Sequence, residues 1–173
     1  RYTTTFNMGS KNANLMVNYA SQSSDGYMAH TASTKKFVNV MSEYRPNERE
    51  KISTYFGYAD SYDERGGELT IEQYEAGDYS GNPNYIKNNA HSAVIRFRAG
   101  LNYNNIINKN LVSSTSIFGS GASVNTASAG GFNDNAPVNY GFRTTLDFNY
   151  DVGKNYRLTG VAGLEMQQQQ THA

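Results

Sequence analysis

Residues 91–103 alternate between apolar and polar side chains. Ala93, Ile95, Phe97, Ala99, Leu101 and Tyr103 fall on one face of an extended chain, while Val94, Arg96, Arg98, Gly100 and Asn102 fall on the other. The same period of two recurs in 138–150, where Tyr140, Phe142, Thr144, Leu146, Phe148 and Tyr150 oppose Asn139, Gly141, Arg143, Thr145, Asp147 and Asn149. A third copy lies in 156–167, with Tyr156, Leu158, Gly160, Ala162, Leu164 and Met166 opposite Arg157, Thr159, Val161, Gly163, Glu165 and Gln167. Less regular strands are predicted at 2–8, 14–19, 36–44 and 52–60, and the weakest, rich in Ser and Gly, at 111–120. The pattern is that of an all-β, antiparallel, up-and-down meander of about eight strands. Helical periodicity is confined to 69–76, enough for one turn inside a loop.

The connections are sorted by length. Short turns are predicted at 9–13, 44–50, 104–110 and 151–155, and long polar loops at 21–34, 60–91 and 121–138. Tight turns at one end of a sheet and long loops at the other are the arrangement of a transmembrane β-barrel. Alternation alone fits two burials, since an apolar stripe faces the core of a soluble sandwich but faces lipid in a membrane barrel. Three cues favour the barrel. Its polar stripe carries charges of both signs (Arg96, Arg98, Arg143, Asp147, Arg157, Glu165), as suits a wet lumen. Tyr44, Tyr103, Tyr150 and Tyr156 cluster beside the short turns, as in an interfacial girdle. Ala93, Ala99, Gly160 and Ala162 on the apolar stripe are tolerable against lipid but would underfill a sandwich core.

Composition narrows the function. Fifteen Lys plus Arg balance fifteen Asp plus Glu in 173 residues, so no nucleic-acid footprint is expected. Absence of Cys excludes disulfides, thiol nucleophiles and Cys-ligated zinc. A mean hydropathy of −0.67 goes with the lack of any run near the ~20 apolar residues of a spanning helix, yet leaves a barrel open, because barrel strands are apolar only at every second position. The chain opens on Arg1 without an apolar signal segment and stops at 167–173 just after a strand-like run, so it reads as an internal piece of a larger barrel.

The stretches Asp60-Ser-Tyr-Asp-Glu-Arg-Gly-Gly-Glu-Leu-Thr70 and Gly81-Asn-Pro-Asn-Tyr-Ile-Lys-Asn-Asn-Ala-His91 resemble the barrel of TonB-dependent outer-membrane receptors of the ferric-siderophore type. So do Phe118-Gly-Ser-Gly121, Ala129-Gly-Gly-Phe132, Asn139-Tyr-Gly-Phe-Arg143 and Gly163-Leu-Glu165, in that order. The resemblance covers nearly all of the chain and implies a partial barrel domain over 1–173, drawn from a barrel of 22 strands around an N-terminal plug that is absent here. It implies a bacterial outer-membrane location and uptake of a metal chelate, driven through the TonB complex acting on that plug, with no bonds broken. Outer-membrane lipid and the chelate are then the expected partners. Two other readings stay open: a complete eight-stranded outer-membrane barrel with a structural or adhesive role, and a soluble β-sandwich that binds carbohydrate or protein.

Candidate substrate-binding groups are Tyr62, Arg65, Tyr74, Tyr79 and Tyr85 in the 60–91 loop, with Arg96, Arg98 and Arg143 on the polar stripe. Aromatic rings there would cover an apolar chelator face while arginines meet anionic oxygens. The bland alternatives are a solvated loop folded over the barrel mouth, and arginines tied across strands to Asp147 and Glu165. No metal is expected. The acidic run at 60–64 lacks the order of an EF-hand loop, and His30, His91 and His172 form no ligand-spaced pair. Gly119-Ser120-Gly121 and Gly130-Gly131 open no helix and precede no Lys-Ser/Thr pair, so no nucleotide cofactor is expected. Catalysis finds no support, since no His has a Ser or Asp partner at a recognisable spacing. Residues 167–170 read as the start of another long loop.

Overall fold

The computed structural model describes residues 1–172. Eight strands follow one another as β1 (Tyr2–Gly9), β2 (Ala13–Ser24), β3 (Ser33–Asn47), β4 (Glu50–Glu64), β5 (His91–Asn108), β6 (Leu111–Ser128), β7 (Gly131–Val152) and β8 (Tyr156–His172). They form one antiparallel sheet in sequence order, each strand paired with its chain neighbours. Two short helices, α1 (Ile71–Ala76) and α2 (Pro83–Lys87), interrupt the connection between β4 and β5.

Register carries the alternation across the whole sheet. Phe97 pairs with Tyr58 on one side and Gly121 on the other, and Leu101 with Thr54 and Ile117. Ile117 pairs with Phe142, and Phe142 with Met166. Partners in an antiparallel pair share a face, so the apolar stripes merge into one continuous surface from Phe6 and Met8 of β1 to Leu164 and Met166 of β8. Tyr44, Tyr103, Tyr150 and Tyr156 belong to this apolar face, near the short turns. Small residues on it are partly roofed by aromatic partners. A Cβ on Gly121 would meet the Phe97 ring at 2.6 Å and one on Gly160 the Phe148 ring at 2.5 Å, so each ring lies over the glycine it pairs with.

Short turns stand where the sequence predicts them, at 10–12, 48–49, 109–110 and 153–155. At the opposite end two of the three predicted long loops are present, at 25–32 and 65–90. The third is not a loop. Residues 121–138 continue β6 and β7 into a long hairpin that pairs from Val124↔Asn135 to Ser128↔Gly131 and turns at Ala129 and Gly130. Both faces of this extension mix small apolar with polar side chains (Ala122, Val124, Thr126 and Ser128 on one, Ser123, Asn125 and Ala127 on the other), so the amphipathic signal that marked the other strands is missing, although glycine at 130 and 131 marks a hairpin turn. Residues 167–170 are strand as well, with Val138 opposite Gln170. β5, β6, β7 and β8 run to 18, 18, 22 and 17 residues, well beyond the ~9–11 that cross a bilayer.

Two alternative architectures are corrected. A sandwich needs a second sheet packed on the apolar face, and the described residues form a single sheet. A closed eight-stranded barrel needs β1 paired with β8, and the strand order leaves both as free edges among the described residues. The wall has almost no interior. Among the described residues the buried hydrophobic ones are Met28, Ala90 and Ala127, all at the long-loop end.

Candidate functional site

The polar face gathers the second set of each alternation. Arg96 and Arg98 stand side by side on β5, flanked across the sheet by small residues: Ala59 and Ala122 beside Arg96, Gly57 and Ser120 beside Arg98. Short neighbours leave the two guanidinium groups standing above a low floor. An open depression of about 600 Å³ results, walled by Phe37 and Asn39 of β3 and by Pro137, Asn139 and Gln169 of β7 and β8. Its volume lies in the ~300–1,000 Å³ range of small-molecule sites.

Charge pairing singles out these arginines. Elsewhere on the polar face, Lys35 meets Asp63 at 3.1 Å, Arg45 and Lys51 share Glu43 at 2.8 and 3.7 Å, and Arg143 meets Glu165 at 2.6 Å. Arg143 reaches Glu165 Oε2 through both Nε and Nη2, as the cross-strand tie foresaw, although Asp147 takes no part. Arg96 and Arg98 have no carboxylate partner among the described residues. Arg98 instead lies 5.8 Å from the centre of the Tyr55 ring, whose hydroxyl donates to Asn39 Oδ1 at 3.1 Å. Adjacent like charges without a counter-ion repel, so this pair is a ready site for an anion.

At the long-loop end the connection 65–90 is folded rather than loose. Thr70 caps α1 by accepting from Gln73 N while the Gln73 side chain accepts from Thr70 N, and Gly77 closes the helix with φ 68°. Asn82 caps α2, with Pro83 in its first turn. The loop then docks on its neighbours. Ala29 N donates to Tyr79 O at 2.9 Å, Glu64 N to Ala32 O at 2.9 Å, Arg65 N to Ala90 O at 2.9 Å and Asn82 N to Gly66 O at 2.7 Å. His30 joins the same junction, its Nε2 2.8 Å from Ala90 O and its Nδ1 3.8 Å from Glu64 Oε2. Asn88 Nδ2 donates to Ala129 O at 3.0 Å, which ties the tip of the β6–β7 hairpin to the cap. Gly66 is buried at the centre, where a Cβ would come within 2.5 Å of Ala29 O.

Two acids in this cap are tuned by hydrogen bonds. Its own backbone N–H, then the Thr70 hydroxyl, hold the Glu72 carboxyl below its ordinary value, and the Ser80 hydroxyl and N–H do the same for Asp78.

The candidate residues therefore separate. Arg96 and Arg98 share the depression, whereas Arg143 lies on the same face but two strands away and is neutralised. Tyr62 falls on the apolar face, stacked on His91 with ring centres 5.3 Å apart. Tyr85 packs beside Gly67, while Tyr74 and Tyr79 are exposed on the cap and Arg65 is exposed with its backbone tied to Ala90. The aromatic loop residues do not gather into one cluster with the arginines. Phe37, Asn39, Asn139 and Gln169, which complete the depression, were not singled out from sequence. Their signal was register, because each shares a polar-face row or a neighbouring row with Arg96 or Arg98.

No protein-family model matches the chain, and no curated protein sequence matches it. Among solved structures it is similar to the crystal structure of ferric citrate transporter FecA in the unliganded form, with a TM-score of 0.73 at 15% sequence identity. The match covers 95% of this chain and 26% of that one. At such identity the likeness is one of fold alone, that of an antiparallel β-barrel wall, and this chain spans about a quarter of that protein's length.

Proposed function

We propose that this chain is part of the wall of an outer-membrane transport receptor, with its apolar face in lipid and its polar face toward the lumen, and that it contributes to uptake of an anionic metal chelate. The observation that carries this reading is the Arg96–Arg98 pair, left without carboxylates among the described residues on a face where the other strand cations are paired. The single open sheet supports the wall assignment, because among the described residues β1 and β8 are edge strands and an edge strand offers its backbone groups to a neighbouring strand. A lumen face whose unneutralised strand cations, among the described residues, sit together attracts a ligand of several negative oxygens and holds it through forked hydrogen bonds. In the ferric-siderophore reading the energy comes through TonB acting on a plug carried outside these residues, and this segment supplies the passage and part of its selectivity. The structured cap bounds the entrance.

Uptake of ⁵⁵Fe-labelled ferric citrate by cells expressing the protein that carries this chain tests the proposal. The Arg96→Gln/Arg98→Gln double variant should lower uptake at least tenfold at unchanged surface abundance, and loss of TonB should abolish it. Arg143→Gln should lower it less than threefold. Unchanged uptake in the double variant, tested also with a catecholate and a hydroxamate chelate, would overturn the role given to the pair.

A further inference from the structure

We infer that the short-turn rim is a docking surface for the headgroups of anionic phospholipids in the leaflet it borders. The inference rests on the lipid-facing reading of the apolar face. Net charge is zero over the whole chain, but the charges are segregated along the strand axis. Every short turn carries a cation at its tip: Lys11 at 10–12, Arg49 at 48–49, Lys109 at 109–110 and Lys154 at 153–155. All four are exposed, and none has an ion-pair partner among the described residues. Glu48 is the only acid within those four turns. The cations a little further along the strands behave differently, since Arg45 and Lys51 are tied to Glu43 and Arg157 lies 4.0 Å from Asp151. At the other rim acids dominate. Asp25, Asp60, Asp63, Glu64, Glu68, Glu72, Glu75, Asp78 and Asp134 outnumber Arg1, Lys35, Lys36, Arg65 and Lys87.

Position decides what the free cations meet. Tyr44, Tyr103, Tyr150 and Tyr156 stand on the apolar face near this rim, which sets the level of the membrane–water interface. Turn tips just beyond that level lie among lipid phosphates. Successive short turns are two strands apart, roughly 10 Å at ~4.8 Å per strand, so the cations form a row along the bilayer edge and not a pocket. Such a row suits many separate headgroups better than one compact soluble anion, and each cation near an anionic surface adds attraction that salt screens.

The test uses the protein that carries this chain, reconstituted in phosphatidylcholine vesicles with trace spin-labelled lipid, and reads the motionally restricted lipid fraction by electron paramagnetic resonance. Spin-labelled phosphatidylglycerol should show at least a twofold higher relative association than spin-labelled phosphatidylcholine. The preference should fall toward unity in the Lys11→Gln/Arg49→Gln/Lys109→Gln/Lys154→Gln variant and in 1 M salt, and survive when the three lysines become arginine. An equal association of both lipids in the native protein, or a preference untouched by the fourfold variant, would overturn the inference. Restricted phosphatidylcholine is the control that separates the two levels. Its presence without a phosphatidylglycerol preference rejects the rim alone, whereas its absence rejects the lipid-facing wall beneath it.

Discussion

The wall and the cap of this molecule are built on opposite principles. In the wall, both faces of a single sheet are left open, and large apolar side chains such as Ile117 (55% exposed) and Leu164 (55% exposed) have nothing from the chain itself to cover them. In the cap, loops with little regular structure hold the buried residues Met28 and Ala90, with Ala127 at the base of the adjoining hairpin. A water-soluble domain reverses this, burying its sheet and exposing its loops. Within the described residues the wall finds no packing partner for its apolar face, while the cap folds on itself; on the proposed function lipid covers that face and the lumen borders the other.

Charge placed on the wall should give the largest effect. Phe56→Arg puts a guanidinium on the apolar face near mid-strand and is expected to destabilise the protein in vesicles by about 2–4 kcal/mol in urea unfolding. Ser53→Arg, three residues away on the polar face and opposite Glu43, should cost no more than about 1 kcal/mol. Equal costs would remove the distinction between the faces.

An overpacked cap comes next. Gly66→Ala forces a Cβ against Ala29 O, a backbone atom that moves only if the 25–32 loop shifts. Local destabilisation of about 1–3 kcal/mol is expected, seen as faster hydrogen exchange at Ala29 and Asn82 with β5–β7 unaffected. If exchange rises along the strands too, cap and wall are one cooperative unit and the comparison fails.

Acidification probes the cap more gently. Because the carboxyls of Glu72 and Asp78 are held below their ordinary values of 4.5 and 3.8, their contribution is present above those values and is lost as the pH falls through the depressed folded ones. Exchange protection at Gln73 and Gly77 should therefore be constant from pH 7 to pH 5 and decline below about pH 4. Loss already complete at pH 5 would assign it to other groups.

The smallest effect is expected at Arg143. Its ion pair with Glu165 is exposed on both sides, so Arg143→Gln should change stability by less than about 1 kcal/mol, and less still at high salt.

The same contrast explains what could be read from the sequence. Strands β5, β7 and β8 announced themselves because one face is apolar and the other polar, which gives period-two alternation over residues 91–103, 138–150 and 156–167. Beyond the two-faced part of the sheet that alternation ends, so the strand continuations look like loop: 121–138 mixes Ala, Gly, Ser and Asn on both faces, and 167–170 is all Gln. Periodicity reported the surroundings of the strand more than the strand itself. Arg96 and Arg98 were legible as polar-face neighbours for the same reason, and the Arg143–Glu165 tie followed from register. The cap was legible only in part. The Thr70 to Gly77 turn has local capping signals, but the bonds that dock it, such as Ala29 N to Tyr79 O, join backbone groups fifty residues apart and leave no mark on composition.

The central claim, lipid on one face and water on the other, is tested most directly by a spin-label scan of β5. The chain has no cysteine of its own, so single cysteines placed in turn from Ala93 to Leu101 in the vesicle-embedded protein can each be labelled alone. Collision with dissolved oxygen should peak at positions 93, 95, 97, 99 and 101, and collision with a water-soluble nickel chelate at 94, 96, 98 and 100. Nickel access at both sets, or the same alternation in opposite phase, would contradict it.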